Sequence, residues 1–268
     1  MKYTLVNQDG KSSVTAFMPD GTPLVADDTH KNFKKIVDAL LGDKDSEYVH
    51  DLFDIAQAIS KRFSRLSERV TARNGEIYVD GDPVKSGITK KINDFLDNNS
   101  ENWQPLVNFL EKVYANPEKH SREQLYDWLD KHNFVITNDG DIVAYKGLKK
   151  NADGTLTSTR QGPAIVDGEE VLGYVPNGIG SVVEMPRASV QHDPNHGCST
   201  GLHVGTPAHA RQFGTVVEVH VNPRDVVSVP THSNWEKMRV CRYTVVKMAS
   251  TTNEAKLAES YKDDGEYF

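Results

Sequence analysis

The segment FVITNDGDIVAYKGL, from Phe134 to Leu148, decides the fold class because two apolar runs flank the dipeptide Asp139-Gly140. An Asp-Gly pair suits the tight turn of a β-hairpin, so the segment predicts two strands joined at that turn. Strand patterns of the same kind follow along the chain at 180–185, 216–221, 226–229 and 240–246. The hairpin therefore opens a strand-rich C-terminal domain.

The residues on either side of this hairpin differ from it in their pattern of apolar and polar side chains. Before it, apolar side chains recur at helical spacing over 31–42, 49–59, 88–96 and 103–114. Ser121 stands three residues before Gln124, which is the spacing of a capping box for a helix over 121–132. After it, the polar residues 149–162 indicate an exposed loop.

The fold class predicted from these patterns is α+β. Turn dipeptides Asp9-Gly10, Asp20-Gly21, Asn74-Gly75 and Asp80-Gly81 add small hairpins to the helical part. We expect a mainly helical N-terminal region with short hairpins over 1–132, a strand-rich C-terminal domain over 133–249 and a polar, acidic tail over 250–268.

Composition narrows the class of protein. The 268 residues are 37% hydrophobic and 26% charged, which suits one large or two modest globular domains. A net charge of -7 argues against binding of duplex nucleic acid across the surface, because phosphates need clustered Lys and Arg. The N-terminus lacks a signal-like apolar run, and with only Cys198 and Cys241 a disulfide framework is excluded. We expect a cytoplasmic protein.

Reactive side chains are densest between His192 and His203, a stretch that also contains Asp193, His196, Cys198 and Ser199. Imidazoles and a thiolate could hold zinc, but no paired-cysteine motif accompanies them, so no metal is expected. Cys198 could instead be a nucleophile activated by His196 or His203, although the signatures of cysteine proteases are absent. Composition alone favours a third interpretation, in which Cys198 packs as a small apolar residue and the histidines lie on a solvated loop.

The same stretch ends in a turn, a strand and a helix. The turn 197–201 precedes a short strand at 202–204 and a helix over 206–213, with Thr206 as N-cap and Pro207 as the first helical residue. Such a helix N-terminus can hold an anion or a nucleotide phosphate, although most turns of this kind hold nothing.

Two arginines near this stretch are further candidates. Arg187 could pair with a carboxylate or a phosphate through its planar fork, or form a surface salt bridge to Asp193 or Glu184. Arg224 is adjacent to Asp225, which suggests a local ion pair.

Three segments of the chain, at 109–148, 185–214 and 217–246, resemble in order the rIIB-like family of tailed-phage proteins. The resemblance implies a phage-encoded, early-acting protein that helps an infection survive host exclusion or abortive defence. It also implies a second protein, rIIA, as partner, and an association with the host membrane. It implies no chemical activity and no cofactor, so binding is expected rather than catalysis.

The order of elements in the C-terminal half is also similar to that of ADP-ribosyltransferase catalytic domains, with 143–148 as the first strand and 201–213 as the second segment. Tyr145-Lys146 stand where the transferase pattern has a histidine, and neither Glu218 nor Glu236 is clearly placed as the carboxylate of the last strand. Such an enzyme needs that carboxylate to stabilise the developing positive charge on ribose. A binding module on the same scaffold is therefore favoured over a transferase.

Two hypotheses about function follow. The first is a non-enzymatic effector in the host cytoplasm or at the periphery of the inner membrane, which binds a host defence component or an rIIA-like partner and reaches the membrane only through that partner. The second is a nucleotide- or NAD-binding protein, or a transferase-like enzyme, that uses the same loop. Both place ligand or partner binding at one set of residues: Tyr145, Lys146, Arg187, His196, Cys198, Ser199, His203 and Arg224.

Overall fold

The computed structural model describes residues 1–8, 10–73, 76–84, 103–132 and 135–249, and the chain divides into two compact units, Met1–Asp82 and Pro83–Phe268. Helices and strands are both present in quantity, so the α+β class is confirmed. Five sequence predictions lie wholly or partly outside the described residues: the turns at Asp9-Gly10 and Asn74-Gly75, the helix over 88–96, the first strand of the hairpin that begins at Phe134, and the tail over 250–268. Within the described part of that hairpin, the first predicted strand is only an isolated bridge between Ile136 and Ile142.

The first unit combines small antiparallel sheets with helices. Its elements are β1 (Lys2–Gln8), β2 (Lys11–Phe17), β3 (Pro23–Asp27), α1 (Phe33–Leu41), α2 (Ser46–Phe53), α3 (Ile55–Leu66), β4 (Val70–Arg73), β5 (Glu76–Val79) and β6 (Asp82–Pro83). The helix predicted over 49–59 is two helices that meet at Asp54, whose backbone leaves the helical region at φ -113° and ψ 80°. One core is built from buried side chains of β2, β3, α1 and α2: Val14, Ala16, Ala26, Ile36, Ala39, Leu40 and Val49.

The second unit contains the strand-rich part of the chain. Its helices are α4 (Gln104–Tyr114), α5 (Lys119–Lys131) and α6 (Pro207–Arg211), and its strands are β7 (Ile142–Lys150), β8 (Leu156–Gln161), β9 (Ala164–Val166), β10 (Glu169–Val171), β11 (Tyr174–Pro176), β12 (Val182–Glu184), β13 (Leu202–Gly205), β14 (Thr215–Val221), β15 (Val226–Ser228), β16 (Lys237–Val240) and β17 (Arg242–Met248). They form one sheet in the order β10-β9-β12-β17-β14-β7-β13-β16-β15, with β8 pairing both β7 and β11.

Strands β7 and β14 lie at the centre of this sheet. They pair antiparallel from Thr215 opposite Leu148 to Val221 opposite Ile142. Alternate side chains point to opposite faces. One face carries the partly buried Lys146 and Thr215 together with six buried apolar side chains: Ile142, Ala144, Leu148, Val217, Val219 and Val221. The other face carries Val143 and Tyr145, which pack against Ala210 of α6. This apolar centre positions the neighbouring strands β13 and β16, which carry polar side chains.

Several local predictions for the C-terminal part are confirmed. Strands occupy the predicted positions after Gly180, Val216, Val226 and Val240 within a few residues. The N-cap of α6 is also as predicted, because Thr206 Oγ1 accepts a hydrogen bond from the backbone N–H of His209 at 3.2 Å.

The loop predicted over 149–162 is wrong, because β7 continues to Lys150 and β8 occupies Leu156–Gln161. A tight turn joins them, in which the Asn151 N–H donates to the Thr155 carbonyl at 2.9 Å. The left-handed φ of +87° at Gly154 permits this turn. The polar sequence LTSTRQ is rich in threonine, which suits a strand with a solvated face.

The capping box predicted at Ser121 is also wrong, since α5 begins at Lys119. Ser121 Oγ donates to the Val227 carbonyl at 2.6 Å, and Gln124 Oε1 accepts from the Val229 N–H at 2.8 Å. Both side chains bind the strand β15 and its end instead of the helix backbone. Helices α4 and α5 belong to the Pro83–Phe268 unit, whereas the sequence analysis places a boundary after residue 132.

We predict that Gly147→Ala lowers the free energy of unfolding by about 1–3 kcal/mol, the usual cost of overpacking. A Cβ at this position would overlap the Ala210 carbonyl oxygen and the Phe213 Cβ, so α6 would have to move off β7. The measurement is urea denaturation followed by circular dichroism. Gly162→Ala is the matched control, because its Cβ would meet nothing within 4 Å. Equal stability of the two variants would contradict the close approach of α6 to the sheet.

Candidate functional site

Arg187 lies at the centre of a polar network that we call the Arg187 network. Its Nη1 donates to the Arg224 carbonyl at 2.9 Å, and its Nη2 donates to Asn116 Oδ1 at 2.9 Å and to the Val226 carbonyl at 3.0 Å. Arg187 pairs with the carboxylate of Glu118, whose Oε2 lies 3.3 Å from Arg187 Nη2. The salt bridges predicted from Arg187 to Glu184 or Asp193 are therefore wrong.

The two predicted carboxylate partners bind other groups. Glu184 Oε1 lies 2.8 Å from Arg242 Nη1, and Asp193 Oδ2 lies 3.0 Å from His196 Nδ1. The local ion pair between Arg224 and Asp225 is present, with 3.4 Å between Nε and Oδ1.

Glu118, just before α5, carries the negative charge of this network. Its Oε2 accepts from Ser121 Oγ at 3.0 Å and lies 3.2 Å from His192 Nδ1 and 3.3 Å from His120 Nε2. Burial raises the pKa of Glu118, but the hydrogen bonds from Ser121 and Arg187 outweigh it and leave the pKa below its usual range. Glu118 is therefore ionised at neutral pH.

A second group, which we call the cation cluster, consists of Lys146, His203, Lys237 and Arg239. In the antiparallel pairing of β13 with β16, His203 lies opposite Arg239 and Gly205 lies opposite Lys237, so the three side chains share one face. Lys146 reaches the same strand from β7, and its Nζ donates to the His203 carbonyl at 2.8 Å. Because Tyr145 pairs with Gly205, the Lys146 side chain lies on the opposite face of the sheet from that of His203. The charges that act on the imidazole thus come from two strands, β7 and β16.

Residues 192–201, which we call the His196 loop, cover this cluster with their backbone. Arg239 Nη2 donates to the carbonyls of Asp193 at 3.0 Å and His196 at 2.8 Å, and Lys237 Nζ donates to the Gly197 carbonyl at 3.0 Å. The side chains of His196 and Cys198 are exposed. The loop therefore turns its carbonyl oxygens towards the cations and its reactive side chains towards solvent.

The environment of the cluster lowers the pKa of its basic groups. Burial, helped by the charges of Lys146, Lys237 and Arg239, lowers the pKa of His203 to about 3. Burial also lowers the pKa of Lys146 to about 8. Among the residues that the structure describes, three buried atoms of the cluster have no hydrogen-bond partner: Arg239 Nε, Arg239 Nη1 and His203 Nε2. The cluster thus combines positive charge with unused hydrogen-bonding capacity, a combination that attracts an anion.

The residues predicted to form one site fall into separate places. Lys146 and His203 belong to the cation cluster, His196, Cys198 and Ser199 lie on the loop that covers it, and Arg187 and Arg224 belong to the Arg187 network. Tyr145 packs in the apolar cluster under α6. His192 and His196, which the sequence analysis weighed and set aside as zinc ligands, bind different carboxylates, those of Glu118 and Asp193. Ligand or partner binding by these residues stays a prediction.

Four residues of these networks were missed by the sequence analysis: Glu118, His120, Lys237 and Arg239. They are remote in sequence from the His196 loop, and the pairing of strands that brings them there has no local signal. One signal was present in β16, where KMRV places two cations in alternation with buried apolar residues.

Comparison with known proteins gives a family for the chain. The family model described as Bacteriophage T4 protein rIIB matches residues 5–256. Protein rIIB of Enterobacteria phage T4 is 33% identical over 223 residues, which cover 82% of this chain and 65% of that protein. The match thus spans less than two thirds of the relative. No solved structure matches, and nothing supports the transferase-like order of elements.

We predict that the free energy of unfolding decreases more steeply in the wild-type protein than in a variant without His203 as the pH is lowered. The pKa of His203 is about 3 in the folded protein and near its ordinary value of 6.5 when unfolded, so between these values the unfolded state binds the extra proton. Stability is fully present above pH 6.5 and is lost as the pH falls towards 3. At pH 4.5 the loss relative to His203→Gln should be roughly 1–3 kcal/mol.

The measurement is urea denaturation of wild type and His203→Gln between pH 7 and pH 4. His196→Gln is the control, because its side chain is exposed, and it should follow wild type. A constant difference in stability between wild type and His203→Gln across this range would contradict the neutral, buried imidazole.

Proposed function

The chain belongs to the Bacteriophage T4 protein rIIB family, and from this membership we propose that it is an early phage effector that protects infection against host exclusion or abortive defence. The observation that carries the proposal is the match of residues 5–256 to the family model. The protein acts by binding a host component or an rIIA-like partner, in the host cytoplasm or at the inner membrane through that partner. Among the described residues, no helix is both long and apolar enough to span a bilayer.

The His196 loop is the surface that we assign to partner recognition. Its side chains at Asn195, His196, Cys198 and Thr200 are exposed, while Arg239 and Lys237 hold its backbone from below. A loop whose backbone is already ordered loses little conformational entropy on binding. Exposed polar side chains on a fixed backbone are therefore well suited to specific recognition.

The test of this proposal is plating efficiency. A phage lacking the gene is plated on a host that carries an exclusion system and is complemented with wild type or with the double variant His196→Ala/Cys198→Ala. We expect wild type to restore plaques and the double variant to fail, because two exposed contact side chains are lost while no buried group changes.

The double variant Glu169→Ala/Glu170→Ala on β10 is the matched control, since both side chains are exposed and remote in sequence from the loop. It should protect as wild type does. Absence of protection by wild type would overturn the effector proposal itself. Full protection by His196→Ala/Cys198→Ala would remove the loop from the binding surface.

A second candidate function, binding of a nucleotide such as NAD or ADP-ribose, is favoured by the cation cluster. Arg239 keeps Nε and Nη1 without partners among the described residues, and these two donors belong to one planar fork that suits a phosphate. Lys237 adds positive charge beside it, since its Nζ binds the same loop at the Gly197 carbonyl. Because the loop covers these groups, a ligand enters only if the His196 loop moves. The arrangement supports binding rather than group transfer.

We predict that millimolar ADP-ribose or NAD raises the melting temperature of the wild-type protein. A ligand present at about 100 times its dissociation constant stabilises the folded state by about 2.7 kcal/mol. Lys237→Met and Arg239→Gln should abolish the shift, because both remove donors of the cluster, and exposed Lys150→Met should retain it. Inorganic phosphate as a further arm distinguishes recognition of phosphate from recognition of the whole nucleotide. No shift with any of these anions, or a shift that survives both cluster substitutions, would overturn this candidate.

A further inference from the structure

Three potential metal ligands converge beside the Arg187 network: Glu118, His120 and His192. One ligand atom from each side chain can be chosen so that all three lie within 4.8 Å of one another. Glu118 precedes α5, His120 lies in its first turn, and His192 comes from the His196 loop. Two segments remote in sequence therefore bring two imidazoles and a carboxylate together.

We propose that Glu118, His120 and His192 bind a divalent transition-metal ion, with Zn²⁺ as the best match. Zinc takes imidazole nitrogen and carboxylate oxygen as ligands, and three protein ligands leave a fourth position for water or for a group of a partner. Imidazole ligands select zinc and similar ions over Mg²⁺ and Ca²⁺, which prefer oxygen. The site is separate from the cation cluster and does not depend on the proposed function.

Neighbouring groups hold the carboxylate in place for this role. Arg187 and Ser121 bind Oε2 of Glu118, and the Glu118 N–H donates to Asn116 Oδ1 at 3.2 Å. Among the described residues, the other carboxylate oxygen of Glu118 accepts no hydrogen bond. Groups that orient a ligand in this way add to metal affinity.

The histidines can both act as ligands without breaking the fold. His120 has an exposed side chain, and its ring lies edge-on to that of His192 with 5.9 Å between the centroids. The backbone on each side of His192 is fixed, since the Gln191 N–H donates to the Thr200 carbonyl at 2.9 Å and the Asp193 N–H donates to Gln191 Oε1 at 3.0 Å. The His120 Nε2 and His192 Nδ1 atoms already lie 3.3 and 3.2 Å from Glu118 Oε2.

The positive charge of Arg187 opposes a cation at this place, but it does not belong to Glu118 alone. The guanidinium also donates to two carbonyl oxygens and to the Asn116 side chain, which fix its position. Arg187 thus orients Glu118 and leaves one of its carboxylate oxygens available to a metal ion. The competing explanation is an ion-pair network with no metal, and it predicts no selective effect of zinc.

The experiment uses the full chain after treatment with EDTA, titrated with Zn²⁺ by calorimetry and with Co²⁺ by visible absorption. We expect one ion per chain and a Co²⁺ spectrum of low-symmetry, nitrogen-containing coordination. His120→Gln and His192→Gln should each weaken binding at least about tenfold, no less than the loss of an outer-shell partner does. Mg²⁺ should not compete.

His196→Gln and Cys198→Ser are the matched controls, since each removes a potential ligand from the neighbouring loop but not from the triad. Both should bind zinc as wild type does. Circular dichroism of the metal-free variants checks folding, and exposed His120→Gln decides the result if His192→Gln is unfolded. Absence of stoichiometric zinc binding, equal affinity of wild type and His120→Gln, or loss of binding in Cys198→Ser would each overturn the proposal.

Discussion

The guanidinium of Arg187 is the interaction on which the polar part of the C-terminal unit depends. It donates to acceptors at Asn116, Glu118, Arg224 and Val226, which come from the segment between α4 and α5 and from the entry to β15. A single planar fork satisfies several acceptors at once, which a lysine cannot reproduce. Together with the bonds of Ser121 and Gln124 to Val227 and Val229, this shared donor ties the segment between α4 and α5 to the strand-rich unit.

The networks around Arg187 also show which parts of the fold the sequence predicts. The strands of the C-terminal part and the Thr206 cap were predictable, because their signals lie within a few residues of each other. Ser121 and Gln124 have the spacing of a capping box, yet they bind Val227 and Val229 across more than a hundred residues. A local sequence pattern therefore fails to predict the contacts of a side chain when a buried strand end offers that side chain a better hydrogen-bond partner.

The candidate site was only half predictable for the same reason. His203 and Lys146 were identified from residue type, but Arg239 joins them only through the register of β13 with β16. That register depends on which apolar residues meet across the sheet, and no motif records it. The residues that complete a site built between strands are therefore the ones that sequence reasoning misses.

The cation cluster carries a cost that the fold offsets only in part. Arg239 and Lys237 donate hydrogen bonds to the carbonyls of Asp193, His196 and Gly197. These bonds replace some of the hydrogen bonds to water that the two side chains lose on burial. Each buried donor left without a partner costs about 1–3 kcal/mol. The same bonds immobilise the His196 loop, so the cost is coupled to a fixed backbone beneath exposed side chains. Because His192 is bound to Glu118 at one end and Gly197 to Lys237 further along, the geometry of the exposed loop depends on both networks at once.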